Sequence, residues 1–469
     1  MTTRLIADET LTAGLARMLA ADLAPGQTVL LDGPVGAGKT HFARAFIRAR
    51  QGALAEDVPS PTFTLVQTYA DPMGTEIWHA DLYRLTDPSE LDELGLDDAM
   101  REAICLIEWP DRLEAAPPGA MTLWLTPLPD PDLRQIVLEM PGAPSLAERL
   151  AARAGFVAQA GWAEARVRPL AGDASARRYF RLEGPQGRAV LMDDPGGSMD
   201  AFLAMTQWLR DRGFGAPAVL ACDAAQGLAL VQDLGDDLLA RVLQDDPALT
   251  ATAYDRIADL LADLHRHPVP GFVAPLDGAA MADQVGLFGE WYLPAAGAAP
   301  RDIGPLIAAL HDALADMPPV LALRDFHAEN LIWRGAAPLG LIDYQDAVAA
   351  HPAYDLVSAL QDARRDVPPE VVRDTIARYL AATGHDPARF AAAYAVLGAQ
   401  RNLRIMGIFA RLCLRDGKPR YLDLMPRVWA HVQTNLAHPA LAPLAAALRD
   451  VPAPTPHLTE RLRAQCPSR

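Results

Sequence analysis

Lysine is nearly missing from this 469-residue chain: Lys39 and Lys418 stand against forty arginines. Where a lysine survives, a compact ammonium is wanted rather than a guanidinium fork. Asparagine is also scarce, at 330, 402 and 435 only. No apolar run reaches the roughly 18 residues of a bilayer-crossing helix. The opening MTTRLIADET carries acids where a secretory leader would be basic and then apolar. The expectation is a soluble, cytoplasmic protein with no membrane partner. The four cysteines, Cys105, Cys222, Cys413 and Cys466, form no C-x-x-C pair; this excludes a zinc knuckle, a redox dithiol or a disulfide framework and predicts ordinary buried thiols. Basic charge is in short supply, with a net of −17, of which −12 falls in the first 150 residues and −5 in the rest. Counterion release therefore cannot drive RNA binding, no direct nucleic-acid grip is expected, and any RNA connection runs through a partner.

What is present is ordinary globular material, 51% apolar and 22% charged, long enough for two to four folding units. The first 150 residues alternate helix and strand patterns. A helix from about Asp8 to Leu23 leads to an apolar run Thr28–Asp32, a glycine-rich turn, and a helix from about His41 to Arg50. Further strands are predicted at Phe63–Tyr69, Glu76–Asp81, Ala103–Glu108, Met121–Leu125 and Gln135–Glu139, an α/β pattern. Prolines at 127, 129, 131, 141 and 144 break the chain, which places a domain boundary at 143, before a helix at Ser145–Ala154. Strand-like runs at Arg166–Leu170, Tyr179–Leu182 and Ala189–Met192 make a small lobe of about 144–235, joined through Leu228–Gly235 to a helical lobe of about 236–450. The tail beyond Asp450 reads as loosely attached.

The segment Gly33-Pro-Val-Gly36-Ala-Gly38-Lys39-Thr40 satisfies G-x-x-x-x-G-K-[ST] between a strand and a helix. Its glycines turn backbone N–H groups toward phosphate oxygens, Lys39 meets the outer phosphates, and the Thr40 hydroxyl can ligate Mg²⁺. Guanine-selective N-K-x-D or T-K-x-D segments are ruled out by the positions of the two lysines, which favours ATP as the nucleotide. Ser60-Pro-Thr62-Phe-Thr-Leu-Val66, His79-Ala-Asp81-Leu-Tyr-Arg84 and Cys105-Leu-Ile-Glu108-Trp-Pro110 follow. In order and spacing, residues 1–140 resemble the TsaE family, the small ATPase subunit of the bacterial complex that forms threonylcarbamoyladenosine in tRNA. The resemblance implies a P-loop ATPase working with the other subunits of that complex. It implies that Thr62 lies in a nucleotide-sensing loop, that Asp81 stands near metal and phosphates, and that Glu108 is the Walker B acid that holds the metal or orients the attacking water.

A second constellation is Leu323-Arg-Asp325-Phe-His-Ala-Glu-Asn330, followed by apolar Leu339–Ile342 and Asp343. Phosphoryl transfer to a hydroxyl needs an acid to take the proton and two oxygen ligands for Mg²⁺, jobs that fit Asp325, Asn330 and Asp343. These residues resemble the aminoglycoside/choline phosphotransferase superfamily, whose fold is protein-kinase-like. With Gly172–Arg181, Val190–Asp193, Gln232-Asp233-Leu-Gly235, Glu290-Trp291-Tyr-Leu293 and Gln400–Arg404, the resemblance over about 147–450 narrows to the AmgK family of anomeric N-acetylmuramate/N-acetylglucosamine kinases of cell-wall recycling. The implied architecture is an α/β P-loop NTPase domain (1–143) followed by an α+β, protein-kinase-like bilobal domain (144–469). The implied reaction is ATP-dependent phosphorylation of the sugar C1 hydroxyl, with Asp233 at the nucleotide.

One departure stands out: the strand that should offer a lysine to the phosphates reads Ala189-Val-Leu-Met-Asp-Asp194, and Leu170–Tyr179 holds a single glycine. Arg177 or Arg178 is the candidate replacement cation. Trp291 is a candidate to stack on the sugar and Arg404 to meet a carboxylate. Asp355 is expected to buttress the catalytic loop and His327 to pack within it, while Tyr344 follows the metal acid. The shared motif leaves open an aminoglycoside, choline or other amino-alcohol kinase, or a pseudokinase, and it leaves open a first domain that acts as a nucleotide-switched binding module.

Overall fold

The computed structural model describes residues 2–55, 57–85, 95–170, 177–196, 199–314 and 316–467. The chain divides into two compact units, Met1–Leu203 with Ala218–Asp233, and Ala204–Pro217 with Leu234–Arg469.

The first unit is built on two sheets. Strands β1 (Thr2–Ala7), β2 (Thr28–Asp32), β3 (Val66–Ala70), β4 (Glu76–Asp81), β5 (Ile104–Glu108), β6 (Met121–Pro127) and β7 (Arg134–Glu139) form one sheet in the order β1-β7-β6-β2-β5-β4-β3. The parallel pairs are β2–β5, β2–β6 and β4–β5. Every residue of β5 is buried, as befits a central parallel strand covered on both faces. Helices α1 (Glu9–Asp22) and α2 (Lys39–Gln51) flank β2 in sequence, and α3 (Leu96–Glu102) precedes β5. Asp8 caps α1 by accepting the Leu11 N–H at 2.7 Å, which is why the helix starts where the acid stands. The sequence pattern places most of these elements to within a few residues but misses β1 and the short helix α3. That strand pairs antiparallel with β7 at the sheet edge, and Thr2-Thr-Arg-Leu-Ile-Ala7 lacks clean apolar alternation.

Helix α4 (Pro144–Gln159) leads from β7 to a second, antiparallel sheet, ordered β11-β12-β10-β9-β8. Its strands are β8 (Arg166–Leu170), β9 (Arg178–Gly184), β10 (Gly187–Asp193), β11 (Val219–Asp223) and β12 (Leu228–Gln232). Thus Leu228–Gln232, read as part of a connector, is a sheet strand. Residues 171–176, which carry most of the motif opening at Gly172, lie outside the described residues. One apolar cluster runs through Leu15, Phe42, Leu123, Leu150, Phe180 and Leu191, so both sheets of this unit share a core.

The second unit is mostly helical. Helix α5 (Met199–Asp211) enters it from Ala204 onward; α6 (Thr250–Leu264), α7 (Gly278–Leu287), α8 (Tyr354–Leu360), α9 (Pro369–Thr383), α10 (Pro387–Leu414) and α11 (Met425–Leu436) follow. Two short antiparallel pairs, β13 (Val320–Ala322) with β16 (Val348–Ala350) and, nested between them in sequence, β14 (Leu331–Ile332) with β15 (Gly340–Leu341), carry the 323–330 segment.

Two expectations are corrected. The tail is not loose: α12 (Pro456–Ala464) buries Leu458 and Leu462, four residues apart on one face, and the Leu462 carbonyl accepts from Cys413 Sγ. Nor are all thiols buried, since Cys222 is exposed on β11 and Cys466 is intermediate. No helix among the described residues is long and apolar enough to cross a membrane.

Candidate active sites

Strand β2 ends at the glycine-rich turn, and α2 begins at Lys39. Gly33 takes φ 145° with a Leu125 carbonyl oxygen only 2.3 Å from where a Cβ would sit, so no other residue fits there. Lys39 is 5% exposed; its Nζ donates to the carbonyls of Gly33 (2.6 Å) and Pro34 (3.0 Å) and lies 3.7 Å from the centre of the Trp109 ring. Burial lowers its pKa, opposed by the nearby charges of Glu108, Asp81, Asp32 and Asp111. The turn is thus self-satisfied, its one ammonium held by two of its own carbonyls.

Parallel pairing brings the two acids to the same sheet edge, because Asp81 closes β4 and Glu108 closes β5 as register partners. Binding at the carboxyl ends of parallel strands is the rule for open α/β sheets. Glu108 is 2% exposed; its Oε2 accepts the Thr40 hydroxyl at 3.1 Å, and its Oε1 lies 2.9 Å from His79 Nε2. Asp81 Oδ2 accepts from Thr62 (2.6 Å) and Ser60 (3.1 Å), and its Oδ1 from the Tyr83 N–H (3.1 Å). Gly33, Gly36, Gly38, Lys39, Thr40, Thr62, Asp81 and Glu108 are therefore parts of one half of one unit. Sequence reasoning assigned no role to His79, although its place two residues before Asp81 on a strand puts both on one face.

In the second unit, the segment 323–330 expected to be catalytic turns sharply. Arg324 and Asp343 adopt positive φ (74° and 59°), conformations rare outside glycine and concentrated at functional sites. The Asp355 carboxylate at the start of α8 holds the turn, accepting the backbone N–H groups of Leu323 (2.6 Å) and Arg324 (3.0 Å). These are the buttressing bonds expected of it. Burial raises the pKa of Asp355 to about 7; the two N–H donors oppose the shift, the Asp325 charge adds to it and Arg401 opposes it. Asn330 Nδ2 donates to the Asp325 carbonyl (2.8 Å) and sits 3.4 Å from Asp343 Oδ2, so a single amide links all three residues. Tyr344 is buried, its hydroxyl 2.7 Å from Thr206 Oγ1 on α5, and His327 is buried within the loop.

The pairs Thr40–Glu108 and Asn330–Asp343 fit Mg²⁺, which takes one or two protein oxygens and completes its shell with phosphates and water. No cluster of three or more His, Cys, Asp and Glu side chains suited to a metal occurs among the described residues.

Arg404, on α10, is held below its ordinary pKa by burial, countered by Tyr354; Arg324 lowers it further, Asp325 raises it and Arg401 lowers it. The guanidinium of Arg404 enters no hydrogen bond or ion pair among the described residues. Buried Arg324 Nε and Arg401 Nη1 also lack partners among them, while Arg401 Nη2 donates to Ser358. The rest of the Gln400–Arg404 motif is structural: Gln400 donates to the Met281 carbonyl, and Asn402 joins Gln361 and Asn435 in a buried amide cluster. Trp291 is half-buried in a single π-helical turn, Phe288–Tyr292, against which α10 packs at Gly407; a Cβ there would lie 2.3 Å from the Leu287 carbonyl carbon. π-turns of this kind recur at functional sites.

The remaining expected residues lie in the first unit, and each is already paired. Arg177 Nε donates to Asp194 (2.8 Å), Arg178 Nη2 to Asp22 (2.6 Å), and Asp233 holds Arg181 (2.8 Å).

Fold and sites together define a P-loop nucleotide-hydrolase module joined to a small-molecule phosphotransferase of kinase-like design. Residues 6–131 match the family model "Threonylcarbamoyl adenosine biosynthesis protein TsaE", and residues 166–391 match the "Phosphotransferase enzyme family". The chain belongs to the TsaE family through its first part and to the N-acetylmuramate/N-acetylglucosamine kinases through the remainder. An N-acetylmuramate/N-acetylglucosamine kinase of Caulobacter vibrioides is 40% identical over 352 residues, covering 64% of this chain and 95% of the relative. Its counterpart in Pseudomonas aeruginosa is 32% identical, over 63% and 92%. A tRNA threonylcarbamoyladenosine biosynthesis protein TsaE of Rickettsia bellii is 47% identical over 98 residues, 21% of this chain and 67% of the relative.

Proposed function

We propose that the protein is bifunctional. Residues 1–143 hydrolyse ATP in support of threonylcarbamoyl transfer to tRNA adenosine, alongside the other subunits of that complex. Residues 144–469 transfer the γ-phosphoryl group of ATP to the C1 hydroxyl of N-acetylmuramate or N-acetylglucosamine. In the second reaction Asp325 accepts the proton of the C1 hydroxyl as its oxygen attacks phosphorus, and the bond to the ADP oxygen breaks. Asn330 and Asp343 would hold Mg²⁺, which when bound neutralises phosphate charge. In the first domain Lys39 meets the outer phosphates, Thr40 would ligate the metal, Glu108 holds or orients water, and Asp81 keeps Thr62 in reach of the nucleotide.

The observation that carries the choice of acceptor is the charge around Asp325. Arg404 lies within electrostatic reach of Asp325 and of two further guanidiniums, Arg324 and Arg401. A choline or aminoglycoside acceptor would bring a cation to that cluster and be repelled. An acceptor with a carboxylate, such as the lactyl group of N-acetylmuramate, gives Arg404 the partner it lacks. The test is phosphotransfer from ATP with Mg²⁺ to N-acetylmuramate, N-acetylglucosamine, choline and an aminoglycoside. Phosphorylation of the amino sugars at C1, N-acetylmuramate most efficiently, is the expected result. Preference for a cationic acceptor, or no transfer at all, would overturn the reading.

A further inference from the structure

Three of the eleven basic residues in the first 150, Arg17, Arg44 and Arg48, line one cavity, although that stretch carries a net charge of −12. The cavity, of about 270 Å³, belongs wholly to the first unit. It runs along α2, whose lining residues His41, Arg44, Ala45, Arg48 and Ala49 repeat at helical spacing and so share one face. Arg17 enters from α1, and Arg166 is the first residue of β8. Glu164 is the one acid in the lining, and the remainder, Ala13 and Gly52, is small. Four guanidiniums thus surround a space kept open by residues with little or no side chain.

Helix α2 alone does not account for the grouping. Its macrodipole favours a cation in the last turn, which explains Arg48, but Arg44 four residues earlier repels Arg48. The protein also leaves most of the donors unused. A guanidinium has five N–H groups. Arg17 Nη1 donates to the Ala163 carbonyl (2.5 Å), Arg44 Nε to the Val58 carbonyl (2.8 Å) and Arg48 Nη2 to the exposed Asp57 (3.3 Å). Arg166 enters no hydrogen bond or ion pair among the described residues. Its guanidinium lies against Gly52, which follows α2 with φ 60°, and a Cβ there would overlap Arg166 Nη2. The glycine therefore both makes the turn and admits the arginine. Burial lowers the pKa of Arg17, and the Glu164 charge opposes the shift. His41 is held apart by Glu9, with Nδ1 3.2 Å from its carboxylate.

We propose that this cavity binds a small molecule through its phosphate or pyrophosphate group, with Arg17, Arg44, Arg48 and Arg166 as donors. Guanidiniums take phosphate oxygens through paired, parallel N–H bonds, and a dianion here offsets the repulsion among the four. The volume is just below the roughly 300–1,000 Å³ of drug-sized pockets and suits a phosphorylated metabolite. An RNA backbone leaving the cavity would meet a domain of net negative charge, which disfavours a polymer. Arg17, Arg44 and Arg48 fall within the TsaE match at 6–131, and Arg166 opens the phosphotransferase match at 166–391. The site is therefore assembled from both segments and stands apart from the two nucleotide sites.

The test is calorimetric titration of the full chain carrying Lys39→Ala, in metal-free buffer so that the nucleotide sites stay weak. The probes are inorganic phosphate, pyrophosphate, the sugar 1-phosphate that the proposed second reaction makes, and a tRNA. At least one of the three small phosphates should bind one-to-one with a Kd below about 1 mM. Adding Arg48→Ala or Arg166→Ala should each weaken that binding about fivefold or more, because each removes a charged donor. Both side chains are exposed, so both variants should fold, which an unchanged thermal melt checks. Binding that is undiminished in either variant comes from a nucleotide site and overturns the proposal. So does the failure of all three small phosphates to bind, and so does binding of the tRNA alone.

Discussion

Thr40 and Glu108 are joined by a 3.1 Å hydrogen bond between the first turn of α2 and the end of β5, with His79 holding the other Glu108 oxygen. In the proposed reading, the hydroxyl that would meet a metal and the acid that would orient water are therefore held against each other in advance. Such preorganisation is what electrostatic catalysis requires, since nothing then has to move as charge develops.

Lys39 is the cation of this arrangement, and its tight seat makes the first prediction. Lys39→Ala should abolish ATP turnover by the first domain while sparing sugar phosphorylation. Lys39→Arg should fail as well, because a planar guanidinium cannot occupy a site 2.6 Å from the Gly33 carbonyl and 3.7 Å from the Trp109 ring centre. ATP hydrolysis without sugar, and sugar-dependent phosphate transfer with it, separate the two activities. Loss of both in Lys39→Ala would sink the independence of the sites.

Asp325 carries the second prediction. Its backbone is fixed by the Asp355-capped turn and by the Asn330 amide, which donates to the Asp325 carbonyl and also reaches Asp343. Asp325→Ala should reduce sugar phosphorylation by several decades, within the range that base and positioning losses produce. ATP binding at the P-loop should not change. Undiminished transfer by this variant would remove Asp325 from the mechanism.

Local grammar made these two sites legible, and its reach explains what was not. Glycines, a lysine and alternating strands are read over fewer than ten residues, which is why the phosphate turn and the 325–330 spacing stand out. His79 meets Glu108 across two strands and 29 residues. Arg404 comes to Asp325 from a helix far along the chain, and Arg178 finds Asp22 across 156 residues. Such pairings depend on topology, so Arg178 could be noted as a cation but not assigned a partner. The tail misled for a related reason: prolines at 452, 454 and 456 suggest a loose end, and only the docking of Leu458 and Leu462 reveals otherwise.

Arg404 supports a third prediction about acceptor choice. Replacing it with alanine removes a buried charged donor, worth about 1.5–3 kcal/mol when its partner is ionic. N-acetylmuramate should then lose roughly ten- to hundredfold in kcat/KM, while N-acetylglucosamine, which has no carboxylate, changes little. Equal losses for both sugars in a side-by-side kinetic comparison would show that Arg404 serves the fold or the loop rather than the lactyl group.

The last prediction concerns acid. Burial pushes His265 down to about 3, aided by His385 and His351. Burial likewise brings His351 to about 4, with His385 and His311 lowering it and Asp316 opposing. His327 also falls to about 4 through burial, against Asp362 and Asp325 and with Arg364 and Arg401. All three titrate near 6.5 when unfolded, so between about 4 and 6.5 the unfolded chain binds more protons, and the stability present above 6.5 is lost as pH falls. Asp355 works in the opposite sense. Raised to about 7 from an unfolded value near 3.9, it stabilises at low pH and loses that contribution as pH rises through 7. These three groups against one leave a net uptake of about two protons on unfolding in this window, and His431, also lowered by burial, adds in the same sense, so the helical unit should melt at progressively lower temperature from pH 6.5 to 4.5. Asp355→Asn removes the opposing group and should steepen the fall toward three protons, whatever it does to the absolute midpoint. Calorimetric Tm values for the full chain and the variant across that range provide the check; a flat or rising wild-type profile on acidification would contradict neutral, buried histidines.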